Sequence, residues 1–262
     1  MVNGDKISGL TSLRINGSGS ADQVLEEIFS ITDDMITGSA DAMGIGVPGL
    51  VDAEGVVYDV VNIPSWTEIP LKKIMEQRYG IPAAVNNDAN CFALGEFYHG
   101  KGKGHNSMIG LTVGTGLGSG IIINKKLYSG NSCGAGEFGM VGYQDKFYEY
   151  YASGQFFNNV HGISGEEVFE GAKAGDRQAL EMFEELGYHL GNAIKMIMYT
   201  YDMELIVLGG SVRHGWKYFS DSMWKQVKTF AFPRSVDAIR IEVSELENSG
   251  LLGASVLYYD MI

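Results

Sequence analysis

Three short polar clusters in this chain carry residue types able to do chemistry on an oxygen-rich ligand. The first is NNDAN at 86–90, where Asn87 and Asp88 end an apolar run and open a helical one. An Asp at a helix start is often an N-cap that accepts from backbone N–H groups. It can instead be a general base that takes a proton from a hydroxyl as the oxygen attacks, with the adjacent amide holding the same molecule. The second cluster is CGAGEFG at 133–139, in which Glu137 sits among glycines rather than on a periodic face. The third is YEYYASG at 148–154, where Glu149 precedes an expected helix start at Ser153. Taken singly, Glu137 and Glu149 read as solvated loop acids. Taken with Asn87 and Asp88, they form a set of carboxylates and amides suited to a ring of neutral hydroxyls, a sugar.

A fourth feature, VGTGLGSGIII at 113–123, places four glycines and Thr115 between two apolar runs. Glycine-rich links between strands are common as plain turns. The same stretch can be a phosphate cradle, in which bare backbone N–H groups converge on an anion and the Thr115 hydroxyl adds a donor.

The elements that must position these residues follow an alternating α/β pattern. ISGLTSLRI (7–15) reads as a strand, after which Ser20 and Gln23 form a capping box for a helix with Val24, Ile28, Ile31 and Met35 on one face. DAMGIGVPGLVD (41–52) returns as a buried strand closed by Pro48-Gly49, followed by a short strand in GVVYDVV (55–61), a helix near PLKKIMEQRYG (70–80) and a strand at IPAAVNN (81–87). DANCFALGEFYHG (88–100) is helical, and NSMIGLTV (106–113) and GIIINKKLY (120–128) flank the glycine loop as an antiparallel pair. Ser164 and Glu167 suggest a second capping box, and a helical stripe runs through Phe183, Leu186, Leu190, Ala193, Ile194, Ile197 and Tyr201. Strands at MELIVLGGSV (203–212) and AIRIEVSEL (238–246) lead into a small-residue helix at NSGLLGASVLYYD (248–260). This order fits two α/β lobes with a cleft between them, ligands sitting at the carboxyl ends of strands.

Composition narrows the partners. With 262 residues, 45% hydrophobic and 19% charged, the chain can bury a sizeable core. A net charge of −13 argues against broad nucleic-acid or anionic-membrane binding. The apolar runs are far shorter than the roughly 20 residues of a membrane span, and a cytoplasmic location is expected. Cys91 and Cys133 are the two cysteines and form no C-x-x-C pair, so a disulfide scaffold or zinc knuckle is not expected. His99, His105, His161, His189 and His214 are scattered and read as surface or satisfied core residues.

In order along the chain, GIGVPGLVD, NDAN with ALGE, GTGLGSG, GAGEFG, EYYASG and LIVLGGSV resemble the ROK family of sugar kinases and sugar-responsive repressors, from about residue 42 onward. The resemblance implies a two-lobed actin/hexokinase-like fold, ribonuclease H-like in its core, with an N-terminal lobe over 1–92 and a C-terminal lobe over 93–262, the final helix able to pack back on the first. It implies ATP with magnesium carried by the nucleotide, phosphoryl transfer to a hexose or amino-hexose hydroxyl, and a homodimer. It assigns Asp88 as base, Asn87, Glu137 and Glu149 as sugar contacts together with Asp88, Gly114, Thr115, Gly116 and Gly118 to phosphate, and Gly209 and Gly210 beside adenosine. Phosphoryl transfer needs mainly positioning and charge stabilisation, which suits such a set.

Two positions depart from the family pattern. Met140 stands where the motif supplies a histidine that touches sugar and helps bind zinc, and MVGYQDKFY (140–148) holds neither Cys nor His, so no zinc site is expected. Family kinases also open with an Asp-x-Gly-Gly-Thr turn, whereas MVNGDKISGL (1–10) reads as the end of a second strand and its hairpin turn. An N-terminal DNA-binding segment of the repressor kind is not expected before Ile7. The alternative to a kinase is a sugar-binding sensor of the same fold.

Overall fold

Ser20 opens the first helix through a reciprocal cap: its side chain accepts from the Gln23 N–H while the Gln23 side chain accepts from the Ser20 N–H. The helix runs Ala21–Met35 and buries Val24, Leu25 and Phe29. The structure is a computed structural model describing residues 1–4, 6–36, 40–60 and 62–261, and of residue 261 the backbone only. By packing, the chain divides into two units, one of Met1–Lys103, Lys126–Ala135 and Leu246–Ile262, the other of Gly104–Lys125 and Gly136–Glu245.

In the first unit, strand Met43–Val47 lies parallel to Ala83–Asn87, with Met43 opposite Ala83 and Val47 opposite Asn87. A small antiparallel sheet joins Leu50–Val51, Val57–Tyr58 and Glu68–Ile69. Helix Leu71–Tyr79 ends at Gly80 in the left-handed conformation. Helix Asp88–His99 packs on helix Ser249–Met261 through small residues. A side chain at Gly95 would meet the Ser249 carbonyl, and one at Gly253 the Cys91 carbonyl. The glycines therefore let the two backbones approach far more closely than side chains allow.

The second unit is built on a sheet in which Met108–Val113 lies between Leu117–Ile123, antiparallel, and Leu205–Gly209, parallel; Arg240–Val243 continues it in parallel. Ile109, Leu111, Ile121, Ile122 and Leu205 to Val207 are fully buried, each contributing roughly 1.5–3 kcal/mol. Helix Gly165–Ala174 starts at Ser164, whose side chain accepts from the Glu167 N–H. The expected apolar stripe forms one face of helix Arg177–Tyr201, capped by Asp176 and packed on helix Trp216–Val227.

Two expectations are corrected. The segment 7–15 is not a strand: only Lys6–Ile7 pairs, with Val2–Asn3, and residues 8–16 have no regular secondary structure and leave Leu10 and Leu13 exposed. Apolar alternation makes no strand without a neighbour to take its hydrogen bonds. The expected hairpin turn in 1–10 covers position 5, which lies outside the described residues, as does position 61 at the end of GVVYDVV, where the strand is Val57–Tyr58. Ser153 does not start a helix either. It closes helix Tyr148–Ala152, and the next helix is Phe156–His161. Among the described residues, no helix is long and apolar enough to cross a membrane.

Candidate active site

At the junction of strand Ala83–Asn87 and helix Asp88–His99, the capping role falls to Asn87 and not to Asp88. The Asn87 side-chain oxygen accepts from the Ala89 N–H at 2.9 Å and the Asn90 N–H at 3.4 Å, while its amide donates to the Gly49 carbonyl at 3.3 Å. Asp88 takes the first helical position and accepts from the Ala89 N–H at 2.9 Å. Its residue surface remains open to solvent. Surrounding protein nevertheless desolvates the carboxylate enough to raise its pKa above the ordinary aspartate value, against the opposing pull of the Ala89 N–H. A carboxylate so placed is accessible and more basic than a free aspartate, the properties asked of a proton acceptor.

Behind the junction lies a polar scaffold that motif reading missed. The buried Asn86 oxygen accepts from the Asn87 N–H at 2.8 Å and from the Asn90 side-chain amide at 2.9 Å. The Asn90 amide also approaches the Cys133 carbonyl at 3.4 Å, and the Asn86 amide approaches Ser129 Oγ at 3.4 Å. Two asparagines four residues apart across a strand-to-helix junction were the available signal.

In the second unit, Leu117 pairs with Val113, so residues 114–116 form a three-residue hairpin loop closed by a 3.0 Å bond from the Gly114 N–H to the Gly116 carbonyl. Thr115 is exposed at its tip. Gly118 lies beyond the loop, in the strand, where its carbonyl accepts from Thr112 Oγ1 at 3.2 Å. Glu149, in the first turn of helix Tyr148–Ala152, places Oε2 2.9 Å from the Leu117 nitrogen, accepting that N–H. A Cβ at Gly116 would lie 2.6 Å from the same oxygen. A side chain at Gly116 would therefore displace the Glu149 carboxylate from its place on Leu117.

Gly209 closes strand Leu205–Gly209, paired with Thr112, and Gly210 follows with φ 78° and ψ 175°, a region nearly reserved for glycine. A side chain at Gly210 would run into the Val113 carbonyl. Gly154 supports the loop from another direction, its N–H donating to the Gly114 carbonyl at 2.7 Å. Gly114 differs from these: its Cβ direction is open, with the Ser211 nitrogen 4.0 Å away. Two parallel strands thus end side by side, with no side chain at 114 and an exposed hydroxyl at 115, so a phosphate group has room beside that hydroxyl, while the Gly114 N–H is held by the Gly116 carbonyl.

Glu137 precedes the short turn Phe138–Met140 and is exposed. The turn leans on the glycine hairpin: Ser119 Oγ donates to the Gly136 carbonyl at 2.6 Å, and a Cβ at Gly139 would lie 2.5 Å from the Leu117 carbonyl and 3.3 Å from Glu149 Cβ. The second unit therefore gathers Gly114, Thr115, Gly116, Glu149, Gly210 and the Glu137 turn, while Asn87 and Asp88 belong to the first. Among the described residues, no group of three or more His, Cys, Asp or Glu is arranged to hold a metal ion.

The chain is 30% identical to the glucokinase of Halalkalibacterium halodurans, across 82% of this chain and 75% of that one. It is 27% identical to the xylose repressor of Bacillus subtilis, across 83% of this chain and 61% of that one. Among solved structures, the ROK family glucokinase of Streptomyces griseus, in complex with glucose and AMPPNP, superposes with a TM-score of 0.76 at 30% identity, covering 91% of this chain and 88% of that one. The fold is the actin/hexokinase-like fold of ROK sugar kinases. The ROK family profile matches residues 16–261, and by that match this chain belongs to the ROK family.

Proposed function

We propose that this chain is a sugar kinase transferring a phosphoryl group from ATP to a hydroxyl of a hexose or amino-hexose. The observation that carries the reading is the junction at 87–88: Asn87 satisfies the helix N-terminus, which leaves the desolvated Asp88 carboxylate available to a substrate hydroxyl. Asp88 accepts the hydroxyl proton as the oxygen becomes a nucleophile, and Asn87, Glu137 and Glu149 orient the sugar through its remaining hydroxyls. The backbone at Gly114 and Gly116, with Thr115, receives phosphate, and Gly209 and Gly210 lie toward the nucleoside. ATP, when bound, supplies the phosphoryl group, with magnesium neutralising its phosphate charge.

Asp88→Asn tests this. The variant should lose about 10²-fold or more in turnover, measured as ADP release with glucose, mannose and their N-acetylamino counterparts. Because Asp88 holds its proton more tightly in the folded chain than in the unfolded one, its ionisation weakens the fold as pH rises from its unfolded toward its folded pKa. The variant should therefore melt no lower than the parent at pH 7, and any advantage should vanish in acid. Near-normal turnover of Asp88→Asn would sink the assignment.

One observation favours a second reading, a sugar-binding regulatory protein without turnover: the Leu117 N–H, a donor a phosphate would use, is already taken by Glu149. Calorimetry that finds sugar binding with neither ATP binding nor ADP release would favour it.

A further inference from the structure

Away from the residues assigned above, a polar cluster of the second unit surrounds His189, a buried residue of helix Arg177–Tyr201. Its Nδ1 lies 3.1 Å from the Tyr143 hydroxyl, and that hydroxyl accepts from the Asn192 side-chain amide at 3.2 Å. On the opposite edge of the ring, Nε2 lies 3.7 Å from Glu185 Oε1, while Glu185 Oε2 meets His161 Nε2 at 3.1 Å. One direction of donation satisfies the whole chain. Asn192 donates to Tyr143 oxygen, Tyr143 donates to His189 Nδ1, and His189 Nε2–H faces Glu185. In this state His189 is neutral.

Tyr143 also stacks on Tyr148, with ring centroids 4.3 Å apart and planes 14° from parallel. Tyr148 is fixed by two further bonds, its N–H donating to the Val141 carbonyl at 3.0 Å and its hydroxyl to the Asn192 carbonyl at 3.5 Å. The next residue is Glu149, whose carboxylate sits on the Leu117 N–H and against Gly116. An unbroken series of contacts therefore runs from His189 through Tyr143 and Tyr148 to the glycine loop.

We propose that Tyr143 and His189 are positioning residues for Glu149, holding helix Tyr148–Ala152 so that its carboxylate stays on Leu117 and the 114–116 loop keeps its shape. This rests on the reading of Glu149 and the loop as ligand contacts. The positioning depends on pH, because protonated His189 turns Nδ1 from acceptor into donor and strands the Tyr143 proton. Every element packed on the ring bears on that titration. Glu185, from the same helix, favours the charged ring. Tyr188, of the same helix, lies 5.3 Å away and Tyr151 5.1 Å, its own hydroxyl on Asp145, and Phe156 packs on the ring while His161 of the same short helix shares Glu185. Burial outweighs the pull of Glu185 and keeps His189 below the usual histidine range.

The test is Tyr143→Phe, which keeps the stacked ring and deletes only the hydroxyl. Amide exchange at Leu117, measured by NMR relative to its intrinsic rate, should accelerate about tenfold in the variant. In the kinase assay, KM for sugar should rise by a similar factor with kcat within about twofold. In the parent, KM should climb as pH falls through the titration of His189, and in the variant that acid dependence should flatten. Unchanged Leu117 exchange in Tyr143→Phe overturns the proposal. If the parent turns over no sugar, exchange still decides the positioning, and the kinase reading alone fails. Should the variant not fold, the parent is followed by pH: Leu117 exchange must rise as the His189 ring titrates, and a flat profile overturns the idea.

Discussion

The two halves of the candidate machinery are positioned by different kinds of interaction. At the Asp88 junction, the cap, the acceptor and most of the scaffold lie within five consecutive residues, Asn86 to Asn90, bonded to one another. At the glycine loop, shape is imposed from a distance in sequence, by Glu149 on Leu117, Gly154 on Gly114 and Gly210 against Val113. Local chemistry tolerates conservative exchange because any good cap serves. Where backbone is fitted against backbone, as Gly210 is against the Val113 carbonyl, there is no equivalent substitute, since a single methyl group has nowhere to go.

The largest effect should come from Gly210→Ala. It combines a backbone conformation nearly closed to other residues with a methyl group driven into the Val113 carbonyl, and should cost about 3 kcal/mol or more. A urea unfolding curve measures it, and a loss under 1 kcal/mol would break the contrast between the two regions.

A smaller effect separates two glycines of one loop. Gly116→Ala forces Glu149 to swing off the Leu117 N–H, costing about 1–2 kcal/mol and exposing that amide to exchange. Gly114→Ala, facing open space, should shift stability by no more than about 0.5 kcal/mol while weakening ATP binding in calorimetry. Equal stability losses at the two positions would show that the loop's glycines are needed for folding alone.

At the junction the expected loss is modest and recoverable. Asn87→Ala removes the cap and should cost about 1 kcal/mol, whereas Asn87→Ser should recover most of it. Thermal melting distinguishes them. Recovery of stability without recovery of turnover would assign the Asn87 amide to substrate as well as to the helix.

Legibility in the sequence followed the same division. The Ser20 capping box, the antiparallel pair around the glycine loop and the closing helix are all read correctly, because each depends on neighbours a few residues away. Residues 7–15 have the alternation of a strand, but a strand needs a partner, and periodicity says nothing about one. Ser153 looks like a helix start by composition, yet it ends the turn carrying Glu149, which packing on helix Arg177–Tyr201 determines. The glycines of the loop suggest an approaching anion. A Cβ at Gly116 or Gly210 would also meet Glu149 or Val113, contacts visible only once the chain has folded.

The pairing of helix Asp88–His99 with helix Ser249–Met261 has a consequence for the order in which the protein matures. The helix that begins with Asp88 leaves the ribosome long before the segment that covers its small-residue face. The residues between them include the whole of the other unit. During synthesis, Cys91, Gly95 and their neighbours wait uncovered, and the junction gains its final rigidity only when residues 249–261 arrive. A nascent chain stalled before that point would carry Asp88 on a helix without its packing partner, so this half of the candidate site is completed only after the other unit has been made.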